Sequence, residues 1–145
     1  MSLRPPPFLP VAVGYFVAVI VAVVVTVFLI IGTPFFESEV GVVTWPDVSR
    51  QLPSLVTIGM AWTFPCAFPG FLLAVLLGER LKWNSWRPYA IAGFGNAAPA
   101  LAIFSVLFGS PSDLTAMTVS SFPGGFAGGL AYWFASGRYV ASRRA

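Results

Sequence analysis

The chain has 145 residues, 57% of them hydrophobic and 9% charged, with a formal net charge of +3 at pH 7. Soluble domains carry about 25% charged residues, so a water-soluble fold is not expected, and the basic balance is not read as a nucleic-acid signal. One cysteine and no histidine leave no internal disulfide, no usual haem ligand and none of the commonest general base.

Residues 1–9 form a head with Arg4, Pro5, Pro6 and Pro7. From Pro10 to Ile31 the chain is almost purely apolar. That run exceeds the roughly 7–15 residues of a signal-peptide core, and no small-residue cleavage site follows it. It meets the roughly 20 residues needed to cross a 30 Å hydrocarbon layer, so the first predicted element is an uncleaved transmembrane helix. Gly14, Ala18, Ala22 and Thr26 recur every fourth residue, a stripe of small side chains that admits a second helix closely. The abundance of Ala and Gly in membrane helices explains the same stripe with no partner.

The stretch from Gly32 to Pro53 holds Glu37, Glu39 and Asp47 against one base, Arg50, with Phe35, Phe36 and Trp45 suited to the headgroup layer. Thr44-Trp45-Pro46-Asp47 fits a helix start and predicts a short interfacial helix leading into the second span, 54–77. That span carries Pro65 and Pro69. Proline lacks an N–H, so the carbonyls of Ala61 and Pro65 lose their helical partners and need another donor in hydrocarbon; Thr63 is nearby. Cys66 reads as a small core residue.

Glu79, Arg80, Lys82 and Arg87 make a basic turn, with Trp83 and Trp86 as interface anchors. The third span, 88–108, contains Asn96 and Pro99, about 12 and 16 Å above its start and so near the bilayer midplane. Asp113 is the only charge in the next loop, where Ser110-Pro111-Ser112-Asp113 repeats the capping pattern. The fourth span, 118–137, holds Pro123 and two small-xxx-small pairs on adjacent faces, Gly124/Gly128 and Gly125/Gly129; Arg138, Arg143 and Arg144 follow it.

The expected fold is thus an all-α integral membrane protein, a single domain of four transmembrane helices over residues 1–145. With the N-terminus inside, seven of the eight bases fall on one side, which by the positive-inside rule predicts a multi-pass protein of the bacterial inner membrane with both termini cytoplasmic. Phe64, Pro65, Phe68, Gly70, Leu72 and Arg80 match Phe122, Pro123, Phe126, Gly128, Leu130 and Arg138 at an offset of 58, while Pro10, Ala12 and Phe16 match Pro88, Ala90 and Phe94 at 78. These matches predict a duplicated helical hairpin, units 10–80 and 88–138, related by a pseudo-twofold along the membrane normal. Coincidence in a Phe/Gly/Ala/Leu alphabet is the competing explanation.

None of the four spans contains Asp, Glu, Lys, Arg or His, the usual carriers of proton relays and coupled transport. No nucleophile–base pair, phosphate loop or metal-spaced Cys/His set occurs. Catalysis, a cofactor and a resident metal are therefore not expected. Pro65 and Pro123, on facing kinked spans, either frame an outward vestibule or are packing adjustments without a cavity, and packing is the favoured reading; Pro69, Pro99 and Thr63 stand with them as candidate polar-pathway or interhelix contacts. Asn96 either lines a polar pathway or bonds to a freed carbonyl on the second span, and the bond is favoured. Arg80, Lys82, Arg87 and Arg138 are expected to contact anionic lipid headgroups. Function by contact follows, as a homo-oligomer or an accessory subunit of a membrane complex. The alternatives are an uncoupled channel or facilitator for a small neutral or weakly polar solute, and an outer-leaflet lipid-binding protein.

Overall fold

A computed structural model describes residues 8–31, 45–109 and 114–139. These form four helices and no strand: α1 (Phe8–Ile31), α2 (Trp45–Arg80), α3 (Trp86–Phe108) and α4 (Leu114–Tyr132), the last continuing through a π-helical turn, Trp133–Gly137. Long apolar runs favour helix because a helix satisfies its own backbone polar groups. Pro10 and Pro88 each stand third in their helices, in the first turn, where a missing N–H costs nothing.

Three helices are long and apolar enough to cross a membrane: Leu9–Ile31, Ser49–Arg80 and Trp86–Leu107. α4 is not among them, because eight of its 19 residues are Gly, Ser or Thr. It is also the most enclosed helix, sandwiched between α1 and α3, so it has least need of apolar side chains. The helix expected to begin at Trp45 and run into the second span does begin there. α2 is one continuous 36-residue helix from Trp45 through Pro53, Pro65 and Pro69, about 54 Å long. Thr57 Oγ1 donates to the carbonyl of Pro53 at 2.7 Å, one turn back along the helix. The proposed capping residues Thr44 and Ser110–Asp113 lie outside the described residues.

The helices run up, down, up and down, each packed against two antiparallel neighbours: α1 on α2 and α4, α3 on α2 and α4. The α1 stripe meets a stripe on α4. Thr26 Oγ1 donates to the Ser120 carbonyl at 3.4 Å, a Cβ on Gly124 would strike Thr26, and one on Gly128 would lie 2.8 Å from the Ala18 carbonyl. Ser136 Oγ donates to the Pro10 carbonyl and Gly14 packs against Ser136 and Tyr132, so the contact runs the length of both helices. On the other face of α4, Gly125 and Gly129 meet α3 backbone to backbone at Gly93, Tyr89 and Ala90. The two adjacent glycine pairs are therefore both used within the chain.

α2 ends in a Schellman turn: Trp83 N–H reaches the Gly78 carbonyl at 3.0 Å and Lys82 N–H the Glu79 carbonyl at 3.4 Å, with Lys82 at φ 52°. Gly109 ends α3 at φ 87°, its N–H on the Ser105 carbonyl at 3.0 Å, a conformation that suits glycine.

Candidate functional site: an apolar cavity inside the bundle

Where α4 is in play, glycine lets helices touch. Where α2 faces α3 at the far end from the basic turn, Trp62 and Phe104 stand between them, ring centroids 6.4 Å apart. Small residues on one side of the ring and aromatics on the other leave the centre unfilled. A cavity of about 460 Å³ lies there, walled by all four helices. Among the described residues its wall is aliphatic and aromatic, with Thr26, Thr63, Asn96 and Ser121 as scattered polar points and no Asp, Glu, Lys or Arg. None of the four prolines lines this cavity, so it is not the vestibule that kinked helices would frame.

The cavity is floored by rings contributed by every helix. Tyr15 of α1 stacks near Phe71 of α2 at 4.3 Å, Phe71 meets Tyr132 of α4 at 5.1 Å, and Tyr132 meets Tyr89 of α3 at 5.5 Å. Trp83 and Trp133 extend the layer beyond Tyr89, at 5.4 and 5.5 Å. Such tilted and edge-on pairs add about 0.5–1.5 kcal/mol each beyond their burial. Tyr15 also donates its hydroxyl to the Phe64 carbonyl on α2, so its polar end is satisfied. At the opposite end the wall reaches Ile30, Ile31, Leu55 and Met117.

The predicted site residues divide on this map. Asn96 and Thr63 line the cavity. Pro65, Pro69, Pro99 and Pro123 do not; all four are exposed on the outside of the bundle. Asn96 bridges α3 to α2, its Nδ2 donating to the Ala67 carbonyl at 3.0 Å. That oxygen is not one of those the prolines release, Ala61 and Pro65, so the expected partner is corrected while the interhelix bond stands. The carboxamide fits because Gly70 has no side chain; a Cβ there would overlap Asn96 Oδ1. Among the described residues Asn96 Oδ1 and Ser120 Oγ are enclosed without a hydrogen-bond partner. Cys66 is buried on the cavity wall.

Of the helix-contact residues, Gly14, Ala18, Ala22, Gly124, Gly125, Gly128 and Gly129 all lie at interfaces within the bundle. Arg80, Lys82, Arg87 and Arg138 gather at one end, where α2 and α4 finish and α3 begins, and all four are exposed. Arg87 lies over the Trp86 ring at 5.9 Å and Arg138 over Tyr139 at 5.7 Å. Sequence reasoning missed the aromatic floor. The signal was there in Tyr15, the one polar ring in the apolar run from Pro10 to Ile31.

No group of His, Cys, Asp or Glu suited to a metal ion occurs among the described residues. No protein-family model, curated protein or solved structure matches the chain.

Proposed function

We propose that this is a four-span membrane protein that holds an apolar molecule inside its bundle without transforming it. The observation that carries this reading is the 460 Å³ cavity lined by all four helices and open along part of its wall, within the 300–1,000 Å³ range of small-molecule sites. Its apolar wall suits such a molecule, and among the described residues it carries none of the carboxylates and bases that catalysis or ion coupling would use. Binding an outer-leaflet lipid and passing a neutral solute were both anticipated, and an apolar wall suits the lipid better than a polar solute.

The placement we propose is the bacterial inner membrane, with both termini and the basic end in the cytoplasm and anionic lipid around Arg80, Lys82, Arg87 and Arg138. α4 crosses as the fourth span, screened from lipid by α1 and α3. The duplicated hairpin is supported by contacts that repeat under the two offsets. Phe16 against Phe64, at 6.5 Å, corresponds to Phe94 against Phe122, at 4.7 Å. Asn96 on Gly70 corresponds to Ala18 on Gly128, and Trp62–Phe104 to Ser120–Thr26.

Mass spectrometry of solvent extracts from mildly purified protein tests the binding role. One apolar compound per chain, reduced when Ala100→Phe fills the cavity, is the expected result. Equal recovery from both proteins would place the compound on the outside and end the reading.

A contact role, as a homo-oligomer or accessory subunit, is the second reading. The small-residue stripes no longer argue for it, since the chain uses them itself. The exposed row Phe68, Leu72, Leu73 and Leu76 on α2 suits lipid tails as well as a partner helix, and a detergent-purified protein running as a monomer with no retained partner would count against the contact role.

A further inference from the structure

We infer that the occupant of the cavity is a single long hydrocarbon chain with an uncharged polar end, its tail against the aromatic floor and its polar end toward the finish of α1. This rests on the binding role proposed above and specifies its ligand.

Shape comes first. The wall runs along α1 from Tyr15 to Ile31 and along α4 from Met117 to Tyr132, about 22–24 Å of helix. A volume of about 460 Å³ drawn out over that length has a mean section of about 20 Å², so the space is a slot several times longer than wide. An extended polymethylene chain advances about 1.25 Å per carbon from ordinary bond geometry, and about 18 carbons span the slot. Each methylene removed from water contributes about 0.8 kcal/mol, which makes a long linear chain the occupant that uses the wall most fully.

Charge comes second. Among the described residues no Asp, Glu, Lys or Arg lines the slot, and an ionised headgroup drawn in among them would have no partner there. The four bases gather at the floored end, on the far side of the ring layer Tyr15–Phe71–Tyr132–Tyr89. An anionic headgroup bound by those bases therefore sits outside the slot. The polar points on the wall, Thr26, Thr63, Ser121 and Asn96, are hydroxyls and a carboxamide, which match a hydroxyl or ester and not an ion.

Retention by the full-length, delipidated protein in detergent, read by native mass spectrometry, tests this. The probes are 1-octadecanol, 1-octanol, octadecanoate, octadecyltrimethylammonium and the rigid polycycle cholestanol. Octadecanol is expected at one per chain and retained at least about 10-fold better than each of the others. Ala100→Phe should lose it about 10-fold, while Leu73→Phe on the exposed face leaves it unchanged, with helix content checked for both. Cholestanol retained as well as octadecanol overturns the linear chain but leaves the binding role standing. Either ion retained as well as the alcohol overturns the uncharged end. No probe retained at all ends both proposals together.

Discussion

Gly70 and Asn96 are one unit divided between two helices. The carboxamide lies where a Cβ would be, and its Nδ2–Ala67 bond contributes about 0.6–2 kcal/mol in a membrane bundle. Gly70→Ala should lower stability by about 1–3 kcal/mol, followed as loss of helix on heating in detergent. Adding Asn96→Ala should return most of that loss, since the clash and the bond disappear together; additive losses would show that the two do not act as one. Lys82 is the opposite case, a side chain in the left-handed region. Lys82→Gly is expected to raise stability by about 1 kcal/mol in the same measurement, and a loss would mean that the lysine's charge outweighs its backbone strain. Asn96 was legible in the sequence as the polar side chain near mid-span. Its partner was not, because the prolines pointed to Ala61 and Pro65 and only packing selects Ala67.

At the scale of the helix, α4 is organised by two glycine pairs one residue apart, one face for each neighbour. Against α3 the contact is backbone on backbone, so nothing can yield. Gly129→Val should cost more than about 3 kcal/mol and abolish recovery of folded protein by size-exclusion chromatography. Gly95 on α3 has open space around it, and Gly95→Ala should instead gain about 0.5–1 kcal/mol. If both substitutions cost alike, helical propensity rather than closeness governs these positions. The stripe Gly14–Ala18–Ala22–Thr26 was readable because a period of four is a geometric statement in itself. Which faces of α2 and α3 turn inward was not readable, since nearly every residue in them is apolar and the periodic contrast that separates core from surface is missing. The prolines consequently looked central and proved peripheral.

For the whole molecule, the up-down order and the gathering of bases at one end follow from apolar run lengths and chain continuity, both plain in the sequence. A fluorescent reporter fused after Ala145 should report a cytoplasmic terminus, and activity of a periplasm-dependent reporter there would reverse the orientation. The cavity was not legible. It arises from a mismatch in girth between partners distant in the chain, Trp62 with Phe104 on one side and Ser120 with Thr26 on the other, and no local pattern encodes such a difference. The chain's one sulfhydryl, Cys66, belongs to that hollow, 3% exposed and on its wall. Shielded by the packed helices, that thiol behaves as a small apolar side chain. Folded protein in mild detergent should therefore resist a charged maleimide that the unfolded chain takes up readily, and rapid labelling of the folded protein would show the hollow open to water.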